Sequence, residues 1–399
     1  IVSLAMGLGI GLTSFISRCI GAGEIDKAGR IASNGIVFSL FVSFFIGLFG
    51  FVFAERIFVM MGAGPEILDM VVSYSRIIFI GFMFMFVGFF FSSIIRGEGD
   101  MKTPLKFMII ATLLNVVLDP ILIFGFWFVP EMGVSGAAIA TVIARAAVVV
   151  LALRHFVFEK SLVKLSFKGF RFDFSLIREI LRVGVPSSVA NVVVAVGIIF
   201  FMKLVSYSGP LAVAAFGIGA RLESIAFMPG IAISGVILTI VGQNVGAKKY
   251  QRARDAVGKG IMLVAGLMFV IGVLLFIFSE RVMYIFTDNP EVVLLGKEYL
   301  QYRVPAFIFF GVVFVIGAAF QGAGNPKVGL AVILLEFFVV GIPLAYVLSN
   351  MIGLNGVWIG FSAGNIAGCL LAVPLYLSGF SDKKLKEYSS VSHKKEDKE

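Results

Sequence analysis

Long apolar runs, each closed by a short charged or Gly/Pro-rich stretch, occupy the chain from its first residue to about position 378. Eleven of them are close to or longer than the roughly 20 residues that a helix needs to cross a hydrocarbon core. They fall near 1–19, 31–53, 70–95, 104–126, 133–154, 176–205, 211–242, 257–278, 298–320, 328–349 and 355–378. Several exceed what a bilayer requires, so tilt, kinks or extension beyond the membrane are expected.

Composition places the chain in one class. It is 59% hydrophobic and 14% charged with mean hydropathy +1.03, against about 45–50% and about 25% in soluble domains. Long apolar runs with few charges indicate helices and not a barrel, so the fold class is an all-α polytopic membrane protein. The 43 Phe and 15 Met suit lipid contact first and adaptable apolar ligands second. Cys19 and Cys369 lie far apart at or within apolar runs, with neither a disulfide framework nor zinc spacing. His155 stands at a helix end and His393 in the polar tail. No paired acids, metal cluster or Ser/His dyad is visible in the apolar runs, so neither an enzyme nor a bound cofactor is expected. Ile1 lies inside a hydrophobic segment, without initiator Met, basic n-region or signal peptide, so a missing N-terminal part is expected.

The net charge of +9 is concentrated in loops and reports orientation, not nucleic-acid binding. One set of loops carries Arg18, Lys27, Arg30, Arg96, Lys102, Lys106, Lys160, Lys164, Lys168, Arg171, Arg178 and Arg182. The same set continues with Lys248, Lys249, Arg252, Arg254 and the Lys-rich tail from Lys383 to Lys398. The intervening loops carry few basic residues. The basic side is therefore read as cytoplasmic, which puts the C-terminus inside the cell membrane. The tail from Ser381 is expected to be disordered.

The chain repeats itself. Ile20-Gly21-Ala22 matches Val245-Gly246-Ala247, Pro65-Glu66 matches Pro290-Glu291, and Tyr74 matches Tyr299. Gly97-Glu98-Gly99-Asp100 matches Gly322-Ala323-Gly324-Asn325, and every one of these pairs is 225 positions apart. Gly133-Val-Ser-Gly136 matches Gly353-Leu-Asn-Gly356 at a slightly smaller offset. A parallel repeat joined by a linker is the mark of a two-lobed transporter with its site between lobes. The division expected is an N-terminal lobe at 1–155, a basic linker at 156–175, a C-terminal lobe at 176–380 and a tail at 381–399. Residues 176–225 have counterparts only before Ile1, so the first helix of a six-plus-six arrangement is expected to be absent and eleven of twelve present.

The candidate chemistry is in Ala111–Leu122. Asn115 and Asp119, four apart, share one helix face. A carboxylate at membrane depth costs about 2.5–3.5 kcal/mol on insertion scales, so it lines a pathway or a protein interior. Pro120 has no N–H for the carbonyl of Val116, which frees that oxygen and favours a kink. An acid, an amide and a free carbonyl on one face suit a small cation or a proton; the alternative is a hydrogen-bonded Asp with a packing role. Asp119-Pro120 aligns with Ile342-Pro343, so the proline is common to both halves and the acid belongs to one. Arg145, one turn beyond Thr141, either tunes Asp119 by its charge or snorkels to the interface. Arg221 and Glu223, two apart, need different partners and are either structural or responsive to the coupling state. Glu336 is read as structural, and Arg76 and Arg303 as snorkelling from external helix ends. The Gly-rich loops at Gly21, Gly97 and Gly322 lack a Walker Lys-Ser/Thr and a preceding strand, so they read as turns and C-caps, which argues against ATP-driven transport.

The order of motifs resembles the multidrug and toxic compound extrusion (MATE) family, and more closely its DinF-like, archaeal-type branch. The carrying residues are Gly7-Leu-Gly-Ile-Gly11 leading to Ile20-Gly-Ala-Gly-Glu24, Arg96-Gly-Glu-Gly-Asp100, Asn115-Val-Val-Leu-Asp119-Pro120 and Gly133-Val-Ser-Gly-Ala-Ala-Ile-Ala-Thr141. The second half adds Val241-Gly-Gln-Asn-Val-Gly246 and Phe320-Gln-Gly-Ala-Gly-Asn-Pro326. The resemblance implies a monomeric, cation-driven antiporter that exchanges H⁺ or Na⁺ for amphipathic or cationic small molecules across the bilayer by rocking two lobes. It assigns the coupling site to Asp119, Asn115 and Thr141, with Tyr74 facing the same cavity; the first three would also be the Na⁺ ligands. The NorM-like branch has instead a Glu eight residues after a Pro on its seventh helix; counting from Pro186, that position here is Val194. The alternative within the superfamily is a lipid-linked oligosaccharide flippase, against which the few intramembrane cations argue.

Overall fold

The computed structural model describes the chain except for Ile1, Ala63, Phe128, residues 159–160 and 166–169, and residues 391–399. Lys160, Lys168, His393 and the last basic residues of the tail lie outside the described residues. Eleven helices long and apolar enough to cross a membrane are found among the described residues. They are α1 (Val2–Gly21), α2 (Ile25–Met60), α3 (Pro65–Glu98), α4 (Lys102–Phe124), α5 (Gly133–Phe158) and α6 (Phe174–Ser206). After these come α7 (Pro210–Gly246), α8 (Tyr250–Ile277), α9 (Pro290–Ala323), α10 (Lys327–Ile352) and α11 (Leu354–Gly379). The protein is a multi-pass, all-α membrane protein with a helix for every predicted span.

The helices overrun the apolar runs that announce them. The 36 residues of α2 and 37 of α7 make rods about 55 Å long at 1.5 Å per residue, against about 30 Å of hydrocarbon. Their ends follow local chemistry. Pro65, Pro210 and Pro290 occupy first-turn positions, where a missing N–H costs nothing. Asn289 caps α9 by accepting from the backbone N–H of Glu291 at 2.9 Å. Gly99 and Gly324, 225 positions apart, end α3 and α9 in the left-handed region with φ of 101° and 92°. That is the C-cap role expected for both loops. Pro120 leaves α4 helical through Phe124. Its counterpart Pro343 follows a π-helical turn, Leu335–Gly341, inside α10.

Without a hydrophobic force between helices in lipid, close packing has to come from small residues. Gly47 lies under the carbonyl of Phe79 and Gly81 under Val142. Large apolar side chains turn outward, as with Phe41, Phe44, Phe45 and Phe49 on α2.

Contacts divide the chain into two compact units, Gly23–Leu181 and Ile1–Ala22 together with Arg182–Glu399. The first holds α2 to α5 and the connection after α5. Within it Glu98 accepts from the Ser161 hydroxyl at 2.6 Å and from the Val163 amide at 3.1 Å. The Asp173 amide donates to Asn34 Oδ1 at 2.8 Å, so the connection is bound to this unit. The second unit holds α1, α6 from Arg182 onward, and α7 to α11, the first eight residues of α6 belonging to the first. These units differ from the division read off the repeat at α1, which packs among second-half helices through Gly7 on Ser188 and Gly21 on Gln243. The tail differs from its expected disorder as far as Ser390. Asp382–Ser390 forms a further short helix, α12, because Leu385 is wholly buried and Asp382 pairs with Arg254 at 2.5 Å.

Candidate functional site

The candidate site is built on α4. Asn115 Nδ2 donates to Asp119 Oδ1 at 3.1 Å, one turn apart on one face, and both side chains are half-buried. The neutral amide donor compensates part of the carboxylate's lost hydration without fixing it in an ion pair. Pro120 stands one residue on, exposed, and withholds an N–H from the Val116 carbonyl.

Glycines fix the register of the neighbouring helices. Gly136 on α5 lies against the Leu122 carbonyl of α4, so close that no Cβ fits. The two helices run antiparallel from that contact. Asp119 is three residues from Leu122 and Asn115 seven; Thr141 is five from Gly136 on the other helix. Thr141 therefore falls at a depth midway between Asp119 and Asn115, about 3 Å along the axis from each. Gly81 and Gly88 of α3 meet Val142 and Val148 of α5, which makes α3 and α5 parallel neighbours. In that register Tyr74 lies about 6 Å, or one turn, beyond Asp119 toward the non-basic end. Tyr74 and Thr141 are both half-buried, and neither hydrogen-bonds to Asp119 among the described residues. The register thus puts an acid–amide pair on α4, a hydroxyl on α5 near its depth and a phenol on α3 one turn outward; of the four, Asn115 and Asp119 are the pair that bond to each other among the described residues. Arg145 is exposed, about one turn further toward the basic end than Thr141.

The MatE family model matches residues 1–121 and 186–347 of the chain. The protein belongs to the MATE family. Similar curated proteins include the probable multidrug resistance protein YoeA of Bacillus subtilis, 26% identical over 96% of this chain and 84% of its own length. The probable multidrug resistance protein NorM of Thermotoga maritima is 28% identical over 94% of this chain and 81% of its own. Among solved structures, a MOP superfamily transporter from Pyrococcus furiosus superposes with a TM-score of 0.90 at 25% identity, covering 96% of this chain and 85% of that one. The eleven helices thus belong to a fold shared with that transporter over 96% of this chain.

This MATE protein also holds a buried polar network that the sequence reading misplaced. Arg303 is not a snorkelling residue: it is 1% exposed and donates from Nε to Glu223 Oε1 at 2.7 Å. Its Nη1 donates to Asn365 Oδ1 at 2.9 Å, and its guanidinium lies 3.6 Å from the Phe361 ring centroid. Asn365 Nδ2 in turn donates to Glu336 Oε1, and Glu336 sits in the π-helical turn of α10. Four helices, α7, α9, α10 and α11, are thereby joined through polar groups. Stacked Phe216 and Trp358 wall the network, with Tyr299 edge-on to both. Glu223 is buried against Arg303, whereas Arg221, two residues before it, is exposed. The reason for the misplacement is a boundary. Taking the helix to begin at 298 put Arg303 near its end, whereas α9 begins at Pro290 and places Arg303 about 20 Å in. A cation and two acids in apolar segments of one half, Arg303, Glu223 and Glu336, were the available signal.

Proposed function

We propose that this MATE protein is a secondary active multidrug efflux antiporter of the DinF-like, archaeal-type branch. It exchanges H⁺ or Na⁺ for amphipathic, often cationic organic compounds by alternating access. It works as a monomer in the cell membrane, with the basic loops and C-terminus in the cytoplasm. The observation that carries the coupling assignment is the Asn115–Asp119 bond of 3.1 Å on a half-buried face of α4, with Thr141 at the same depth. Such a carboxylate can take a proton, and with Asn115 Oδ1 and the Thr141 hydroxyl it supplies hard oxygen donors of the kind Na⁺ accepts. Either event neutralises the one negative charge on this face. That change biases whichever packing of α4 against its neighbours buries Asp119 more deeply, and Pro120 supplies a place for α4 to bend. Cation and drug are then linked reciprocally, each lowering the affinity for the other by the same factor.

The test is ethidium efflux from proteoliposomes with imposed H⁺ or Na⁺ gradients. Asp119→Asn keeps the size and the hydrogen bonding of the side chain but cannot titrate. It is expected to abolish gradient-driven efflux while the protein still inserts and purifies. Efflux at the parent rate from that variant refutes the assignment, and the gradient that drives the parent identifies the ion.

A further inference from the structure

The two copies of the repeat touch one another inside the second unit, and the contact is symmetric. Ser17, Arg18 and Gly21 of α1 correspond to Gly242, Gln243 and Gly246 of α7, each pair 225 positions apart. A Cβ on Gly21 would run into the carbonyl of Gln243, and a Cβ on Gly246 would run into the carbonyl of Arg18. Shifting by 225 exchanges these two contacts for each other. Gly242 faces its own counterpart Ser17, with an ideal Cβ 3.0 Å from the Ser17 Cβ. The basic ends of α1 and α7 therefore cross on an internal pseudo-two-fold axis, in the isologous manner of a symmetric dimer. Both use small residues four apart, Ser17/Gly21 and Gly242/Gly246, which let backbones meet directly. The end of α9 closes a third side, where the Ser14 hydroxyl donates to the Gln321 carbonyl at 2.5 Å and the Arg18 guanidinium lies against Gly324. The close approach does not extend as far as Gly235. Gly235, seven residues before Gly242 and so on the same face of α7, has nothing within 4 Å of where its Cβ would lie.

We infer that this crossing is a clasp that shuts the basic side of the transporter and has to part when that side opens. The inference rests on the antiport reading, because alternating access is what requires a second state. At Gly21 and Gly246 the seam is backbone against backbone, with no side chain to swing aside, so there it opens only by moving one helix away from the other. That makes it a two-state element and not a graded one.

The test is a reversible lock. In a Cys19→Ser/Cys369→Ala background, Ser17→Cys and Gly242→Cys start from a Cβ–Cβ distance of 3.0 Å, a little under the about 3.5–4.5 Å of a disulfide and reached by a small separation of the helices. A third change, Gly235→Cys, reports access from the basic side to a membrane-impermeant maleimide, read peptide by peptide by mass spectrometry. Oxidation is expected to form the 17–242 bond, to cut ethidium efflux at least tenfold and to shield position 235, all reversed by reductant. Gly246→Leu, which wedges the seam, is expected to raise labelling at 235. No disulfide on oxidation, or unchanged efflux and labelling once it has formed, overturns the clasp. Should neither redox form export dye under any gradient, the antiport reading fails instead. Labelling at 235 then still decides the clasp, a fall on oxidation supporting it and no change overturning it.

Discussion

Replacing Arg303 with Met removes the one cation of a buried network and leaves its shape nearly filled. In the parent, Arg303 satisfies Glu223 Oε1 at 2.7 Å and Asn365 Oδ1 at 2.9 Å from a position 1% exposed. The variant strands a carboxylate that is itself 6% exposed. Removing one partner of a buried pair costs about 3–5 kcal/mol, most of it the uncompensated charge. Replacing both partners by apolar groups of similar volume is close to neutral in other folds. Glu223→Leu/Arg303→Met should therefore fall within about 1–2 kcal/mol of the parent, well above Arg303→Met alone. The network contains its own reporter, because Trp358 stacks on Phe216 with centroids 5.8 Å apart. With Trp127→Phe removing the other tryptophan, denaturant unfolding in micelles can be followed at Trp358 alone. A loss under about 1 kcal/mol in Arg303→Met, or strict additivity of the two single changes, would refute the claim that the pair is energetically coupled.

Asp173 precedes α6 and accepts from the Ser175 amide and hydroxyl at 2.8 and 2.6 Å. Partial burial alone would raise its pKa, but these bonds and the nearby Arg30 hold it below the usual carboxylate range. A depressed folded pKa means that its stabilisation is complete above the unfolded value of about 3.9 and fades as pH falls through the folded one. Asp173→Ala should cost about 1 kcal/mol at pH 7, with the gap from the parent closing in unfolding curves taken below about pH 4. Gly136→Val should push α5 off the Leu122 carbonyl, cost about 1–3 kcal/mol and lower ethidium efflux with Asp119 intact, since Thr141 loses its level. For α12, Leu385→Ser should release the helix to limited proteolysis, whereas Asp382→Ala should do so weakly, its ion pair being partly exposed and worth about 0–1 kcal/mol.

The spans were legible because membrane insertion sums over about twenty residues, so misjudging any one of them changes little. Their ends were not, because outside the hydrocarbon a helix is held by caps and by neighbouring protein. Starting α9 eight residues late was enough to turn a buried Arg303 into an apparent interfacial one. On α4 the spacing of Asn115 and Asp119 sufficed, since helical geometry is local. The level of Thr141 was not legible, because it depends on which glycine meets which carbonyl across two helices. The attachment of α1 shows the same limit. Gly21 and Gly246 were visible as matched positions of the repeat, but a sequence identifies the small residues of a helix without naming what lies on them.

The asymmetry between halves supports Asp119 over the other intramembrane acids. Each half carries ionisable groups that its copy lacks: Asp119 aligns with Ile342, and Arg303 falls at the repeat position of Ile78. Their surroundings differ in kind. Glu223 is sealed against a guanidinium, and Glu336 is 3% exposed and held by an amide that is itself bound to that guanidinium. Exchanging a cation at either acid means breaking a network that spans four helices, at several kcal/mol for each cycle. Asp119 is half-buried and held by one neutral amide of its own helix, a single hydrogen bond worth about 1–3 kcal/mol. A coupling acid has to release its ion in every turnover. On that criterion the loosely held carboxylate is the one we propose as the coupling group, and the tightly held pair is a structural tie between α7, α9, α10 and α11.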